Sequence, residues 1–151
     1  MKAAYINPFV NAVSHLFKTM MAMSVKIGQP ALNKEAQPHH DVCGVIDVSG
    51  EVSGRVVVSM SEPLATSLAS ELLGDTIEKL DEDCIDAVGE IANMIAGNAK
   101  TDFPGGANAI SVPQVVIGRE KVAYSSATPV INIPCETDEG SLDIDVALKT
   151  P

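Results

Sequence analysis

The sequence predicts a domain of the α/β class, of the α+β type, built from layers of sheet and helix. Two β-rich runs, at 42–49 and 54–61, are joined by the stretch SGEVSG, whose glycines suit a tight hairpin. A long helical pattern follows, and three β-like segments come after it. This grouping is typical of a sheet-and-helix domain with two or three layers. The 151 residues, 46% of them hydrophobic, suffice for one domain, which we assign to 1–151.

The first predicted element is an amphipathic helix that extends to about Met23. Asn7 can cap it, and Pro8 then lies in its first turn. Its apolar residues recur at helical spacing: Phe9, Val13, Leu16, Phe17 and Met20. The polar stretch 28–41, marked by prolines, is predicted to be a connection.

A short helix is predicted after the hairpin. Ser61 is its expected N-cap, Pro63 lies in its first turn, and Gly74 ends it. The apolar residues repeat every four positions, at Leu64, Leu68 and Leu72. This spacing predicts one buried face.

The long helix is predicted from about Asp81 to Lys100. Acidic residues at its start and Lys100 at its end both complement the helix dipole. The stretch Pro104, Gly105 and Gly106 should stop it. The three β-like segments then cover 108–118, 121–133 and 141–148.

The order of these elements suggests two pseudo-repeated halves, each led by a long helix. If the two long helices correspond, the first helix offers Ser14, Lys18 and Met21 at the positions of Asp86, Glu90 and Asn93. In that register the second half alone would carry the polar residues of a site.

Composition narrows the class of partner. Lys and Arg total 10 against 20 Asp and Glu, and the net charge of −10 opposes binding to nucleic acid or to anionic membrane surfaces. A protein or a small molecule is the expected partner. The N-terminal stretch matches neither a signal peptide nor a membrane span, and the three cysteines are widely separated. A reducing cytoplasm is the expected location.

Several common chemistries lack the residues they need. The three histidines, His15, His39 and His40, stand in no nucleophile-elbow or similar context, so a hydrolytic triad is not expected. His39 and His40 are adjacent, so an extended chain would point them in opposite directions, and we expect a solvated pair and no metal site. The glycine-rich stretches GEVSG and FPGGA lack the residues of a phosphate-binding loop and are explained as turns.

The long helix presents a polar face opposite its apolar face. At about 100° per residue, Glu90 lies about 40° from Asp86, Asn93 lies about 20° to the other side, and Gly97 returns to the same line. On spacing alone, a carboxylate and an amide on a helix surface are more often plain solvated groups than parts of a site. A sharper hypothesis is that the amide of Asn93 holds a water in line with an activated phosphoryl group, such as an aspartyl phosphate on another protein.

These residues resemble the signature of a known family. Asp86-x-x-x-Glu90-x-x-Asn93 is similar to the D/S-x-x-x-E-x-x-N signature of the CheC, CheX and FliY chemotaxis phosphatases, and a single intact signature is most similar to CheX. The likeness extends to the NPF start of the first helix, the G-x-x-x-G hairpin from Gly50 to Gly54, and the strand SVPQVVIG. The resemblance covers most of the chain and implies a CheC-like fold.

The resemblance also implies a function. It implies hydrolysis of the aspartyl phosphate of a CheY-like response regulator, with Asn93 orienting the water and Glu90 pairing with a lysine of the regulator. Asp86 would support them, and Gly97, by our own helical-wheel analysis, would let the regulator approach closely. Mg²⁺ would be bound by the regulator and not by this chain. A homodimer is implied, and Pro113 is the candidate for the family's downstream proline.

Two other hypotheses remain open at the level of sequence. A noncatalytic module could use the same helix to hold a response regulator or a flagellar-switch component. A small-ligand sensor could instead have a pocket between sheet and helices. Asn93 distinguishes the phosphatase from the binding module. A phosphatase would lose its acceleration of phosphate release in Asn93→Ala, whereas a binding module would show no acceleration at all.

Overall fold

A computed structural model describes residues 2–105 and 107–151 and confirms the α+β class: helices pack on one face of an antiparallel sheet. The helices are α1 (Ala3–Thr19), α2 (Glu62–Leu73) and α3 (Glu82–Thr101). The strands are β1 (Lys26–Ile27), β2 (Ala31–Leu32), β3 (Val42–Gly50), β4 (Ser53–Met60), β5 (Asn108–Ile110), β6 (Gln114–Ile117), β7 (Ile131–Thr137) and β8 (Gly140–Lys149). No helix in the described residues is long and apolar enough to cross a membrane.

The sheet has a repeated topology. Its order is β1-β7-β8-β4-β3-β5, with β2 also beside β7 and β6 also beside β3. Each long helix is followed by four strands, of which the last two form a hairpin, and the two hairpins meet where β4 pairs with β8. The short strands of each half pair with the hairpin of the other half. This exchange agrees with the predicted pair of related halves.

The core lies between the sheet and the helices. Alternate residues of each central strand point into it, as expected for a sheet with one face covered by helices. The central strands contribute Val56, Val58, Met60, Leu142, Ile144 and Val146 to it. Ile91, Ala92 and Ile95 of α3 are fully buried against this face, as the apolar pattern predicts.

The structure corrects the predicted first helix at both ends, since the helix ends at Thr19 and not near Met23. The helix begins at Ala3, so Pro8 lies in its interior and Asn7 is not its cap. The ring centroids of Tyr5 and Phe9 lie 5.6 and 5.8 Å from that of Phe103, and this packing anchors the helix on both sides of Pro8. Pro8 removes one backbone hydrogen bond, a loss that this burial offsets.

One predicted connection and one predicted strand also differ from the structure. The stretch 28–41 contains β2, and β1 immediately precedes it; both pair with β7. The predicted strand 121–133 becomes regular only at Ile131, and the part before it lies over the second face of the sheet, where Val122 and Val130 are buried. A packed loop and a strand both need apolar residues, so hydrophobicity alone does not separate them.

The local helix signals are confirmed. Ser61 Oγ accepts a hydrogen bond from the Leu64 amide at 3.4 Å, and Gly74 ends α2 in the left-handed conformation at φ 68°. The long helix ends at Thr101, and Gly105 follows with φ 80°. Gly106, which the sequence also assigns to this stop, lies outside the described residues.

Candidate functional site

Helix α3 carries the candidate site and is firmly positioned. The Asp81 side chain caps it, accepting a hydrogen bond from the Cys84 amide at 2.9 Å. Its buried face packs on β3, where a Cβ atom added to Gly44 would come within 2.6 Å of the Cβ atom of Ala92. The helix therefore rests almost on the backbone of the sheet. A side chain on its outer face inherits this rigidity.

The three signature residues lie together on the outer face of α3. Asp86 and Glu90 are exposed and Asn93 is half-buried. Their side chains make no hydrogen bond or ion pair with any other described residue. Two carboxylates and an amide are thus held on a rigid element with their polar atoms available to another molecule.

Two glycines flank Asn93 along the helix, and of these the sequence analysis singled out Gly97 but missed Gly89. Gly89, Asn93 and Gly97 follow one another at intervals of four residues, so they lie nearly in line along the helix. A Cβ atom on Gly89 would lie 3.4 Å from Val115 Cγ2 and 3.7 Å from Pro113 Cγ. A Cβ atom on Gly97 would lie 3.8 Å from Ile110 Cδ1. The spacing of the two glycines about Asn93 was the available signal in the sequence.

The segment that crosses this line of residues runs from β5 to β6. Ile110 passes Gly97 and Pro113 passes Gly89, so the residues between them pass the helix turn that carries Asn93. Gly97 was predicted to make room for a partner, but part of that room is taken by the chain's own Ile110. Pro113, the candidate family proline, therefore borders the site.

The first helix does not repeat the site. Ser14 and Lys18 are exposed on α1, but Met21 lies beyond the end of that helix and is fully buried. In the register suggested by the sequence, the first half therefore offers no exposed group at the position of Asn93. Among the described helices, α3 presents the carboxylate and amide pattern and α1 does not.

A second polar cluster lies on the opposite face of the sheet, and it corrects the prediction for the adjacent histidines. His39 Nδ1 lies 2.8 Å from Asp143 Oδ2, and His40 Nε2 lies 3.0 Å from Asp143 Oδ1. The two rings therefore converge on one carboxylate, because the chain bends over the sheet there and is not extended. Burial raises the pKa of Asp143, but hydrogen bonds from His40, Asn132 and His39 outweigh it, and the net pKa is lowered.

The neighbouring carboxylate behaves in the opposite way. Burial raises the pKa of Asp145 above its ordinary value, although Asn132, Tyr124 and Asn33 donate hydrogen bonds that oppose this shift. The cluster joins β8 to the segments 33–40 and 119–130. The cluster holds these two segments against the sheet, on the face away from α3. Within the described residues, no group of three or more His, Cys, Asp or Glu side chains has the arrangement of a metal site.

The chain resembles known chemotaxis proteins in sequence. The family described as chemotaxis phosphatase CheX matches residues 42–136. The chain is also 26% identical, over 99% of its own length and 99% of the relative, to the CheY-P phosphatase CheX of Thermotoga maritima.

The fold resembles solved structures of the same kind. The chemotaxis protein CheX of Desulfovibrio desulfuricans superposes with a TM-score of 0.87 at 30% identity, covering 96% of this chain and 99% of that one. A CheX of Borrelia burgdorferi, solved in complex with CheY, BeF₃ and Mg²⁺, has a TM-score of 0.80 at 22% identity, with 96% and 97% coverage. This last likeness shows the fold alone.

Proposed function

The chain belongs to the CheX family of chemotaxis phosphatases, and on this premise we propose that it removes the phosphoryl group from the aspartyl phosphate of a CheY-like response regulator. The Thermotoga relative carries this activity in its name, and the Borrelia neighbour holds a CheY. One observation of this chain carries the proposal. The polar side-chain atoms of Glu90 and half-buried Asn93 lie on the outer face of α3 and bond to no other described residue.

We propose that Asn93 positions the attacking water. An amide can accept a hydrogen bond from the water through its oxygen and donate one through its nitrogen, so it can hold the water in line without changing charge. The water oxygen forms a bond to phosphorus while the bond from phosphorus to the aspartyl oxygen breaks. The regulator regains its carboxylate, the proton of the water passes to solvent, and inorganic phosphate leaves.

We propose that Glu90 binds the active-site lysine of the regulator and that Asp86 adds attraction from the same face. A carboxylate and an ammonium group form a charge-assisted hydrogen bond, which orients the two proteins as well as holding them. Mg²⁺ belongs in this scheme to the regulator, where it would neutralise charge on the phosphoryl oxygens. This chain supplies the amide, the carboxylates and a rigid helix.

Two accompanying proposals concern the state of the protein. We expect a homodimer, and a molar-mass measurement in solution tests it. We also expect the protein to act in the cytoplasm. The three cysteines are free and buried, which is compatible with a reducing compartment.

The deciding experiment measures phosphate loss from a phosphorylated CheY-like regulator with and without the protein. We expect acceleration by the unmodified protein and its near-complete loss in Asn93→Ala. Asn98→Ala is the matched control, since Asn98 is an exposed asparagine on the same helix. No acceleration by the unmodified protein would favour the noncatalytic binding module. The space between sheet and helices is filled by side chains such as Ile46, Ile91 and Leu142, which gives the small-ligand hypothesis no support.

A further inference from the structure

We propose that Val112 forms an apolar contact with the same response regulator, beside the polar contacts of α3. This inference rests on the proposed function and adds a residue that the family signature does not contain. The Ser111 amide donates a hydrogen bond to the Asp47 carbonyl, but Val112 is 86% exposed. It is the most exposed of the large hydrophobic side chains in the described residues.

The backbone beside Val112 is built as a bulge. Strand β3 pairs with β5 as far as Val48 and Ile110, and with β6 from Val45 and Gln114. Between these pairs, two residues of β3 stand opposite the three residues 111–113. One extra residue on one strand defines a β-bulge, a device that turns a side chain away from the sheet.

Ser111 fixes the bulge. Its amide donates to the Asp47 carbonyl at 2.8 Å, and its Oγ accepts from the Asp47 amide at 2.9 Å. The Ser111 side chain thus replaces a backbone carbonyl in the ladder. Both polar groups of the Asp47 backbone are therefore satisfied where the chain leaves the ladder at Val112.

Helix α3 holds the other side of the bulge. Pro113 packs at Gly89, one residue before Glu90, while Ile110 packs at Gly97. The bulge therefore lies alongside the helix turn of Asn93, and Val112 lies within the segment that passes this turn. Since both ends of the segment are packed, Val112 is held in place and pays little ordering entropy on binding.

The neighbouring chemistry points to the regulator as the occupant. The face of α3 offers two carboxylates and an amide, which orient a partner but supply little apolar burial. Interfaces place an apolar contact next to such polar groups, where it excludes water from them. Val112 is continuous with this face, so a regulator that reaches Asn93 passes within reach of Val112. We expect it to meet an apolar side chain that borders the regulator's active site.

The test is a binding titration with a CheY-like regulator carrying beryllofluoride and Mg²⁺ in place of the phosphoryl group. Val112→Ser should weaken binding about tenfold, because it removes apolar area from the interface. Val112→Ile should retain the affinity of the unmodified protein. Leu32→Ser is the matched control, since Leu32 is 54% exposed on β2 beside β7, away from α3, and should leave binding unchanged.

The outcomes separate this inference from the proposed function. Acceleration of phosphate loss by the unmodified protein decides the function, and the Val112 titration decides the inference. Equal affinity of Val112→Ser and the unmodified protein would overturn the inference while leaving the phosphatase intact. A changed molar mass of Val112→Ser with unchanged regulator affinity would also overturn it and assign Val112 to contact with a second copy. Absence of any binding by the unmodified protein would remove both.

Discussion

The methyl group of Ala92 lies where the side chain of residue 44 would be, so α3 and β3 can meet only because residue 44 is glycine. A Cβ atom on Gly44 would approach Ala92 Cβ to 2.6 Å and the Val88 carbonyl oxygen to 3.7 Å. Real Cβ atoms do not come this close to one another. The height of α3 above the sheet is therefore set by a missing side chain.

Gly44→Ala should lower the free energy of unfolding by about 1–3 kcal/mol, because it overpacks the contact between α3 and β3. Denaturant unfolding measures this change. The double variant Gly44→Ala, Ala92→Gly is the control, since it moves the methyl group from the helix to the strand. It should recover part of the loss, less about 1 kcal/mol for glycine inside a helix. If the double variant is no more stable than Gly44→Ala alone, the clash is not the cause.

Glu90→Ala should raise the KM for the phosphorylated regulator at least about tenfold, because the partner's lysine loses its charged acceptor. Glu90→Lys should raise it further through repulsion. Both effects should shrink as ionic strength rises, which steady-state kinetics at two salt concentrations can show. Glu82→Ala, at an exposed acid in the first turn of the same helix, is the control. An unchanged KM in Glu90→Ala would remove Glu90 from the site.

Gly97→Leu should reduce kcat/KM about tenfold by filling space beside Asn93 that the regulator needs. Gly97→Ala should be tolerated, because its Cβ atom would meet only Ile110 Cδ1 at an ordinary distance of 3.8 Å. The alanine variant should also be about 0.5–1 kcal/mol more stable, since alanine favours a helix. Full activity of a correctly folded Gly97→Leu protein would show that no close approach occurs there.

The two buried aspartates of β8 should affect stability with opposite dependence on pH. The pKa of Asp143 is lowered in the fold, so its ionised form stabilises the protein, and this stabilisation is lost as pH falls below the ordinary value of 3.8. The pKa of Asp145 is raised, so its ionised form costs stability as pH rises above 3.8. The free energy of unfolding of Asp143→Asn relative to the unmodified protein should therefore fall with rising pH.

The free energy of unfolding of Asp145→Asn, relative to that of the unmodified protein, should instead rise with pH. Unfolding curves between about pH 2.5 and 5.5 measure these effects, because this range brackets the ordinary aspartate pKa of 3.8. Curves of the same sign for the two variants would contradict the assigned directions. Neither variant should alter the kinetics of phosphate release by more than its effect on the folded fraction, because both residues lie on the face away from α3.

Local signals carried most of the prediction of the fold. Ser61 is a recognisable cap because a cap acts within four residues, and the face of α3 follows from helical periodicity alone. The error at Pro8 has a different cause. A proline inside a helix is tolerated when tertiary packing outweighs its cost, and the packing partner Phe103 lies far along the chain.

The parts that could not be predicted depend on residues distant in sequence. His39 and Asp143 are separated by 104 positions, and nothing near either residue indicates that they meet. The bulge at Ser111 exists only relative to Asp47 on another strand. The signature residues of the site were visible because one helix carries all of them. Val112 was not, because its neighbours come from elements that join only in the folded sheet.

The pairing of strands between the two halves bears on the folding of the nascent chain. Strand β4 needs β8 as its neighbour, and β1 and β2 need β7. A nascent chain that has emerged from the ribosome as far as the end of α3 therefore contains this helix but lacks the strands that complete the sheet beneath it. Cooperative folding must wait for residues 140–149, and until then the edge of β4 is open to pairing with other chains.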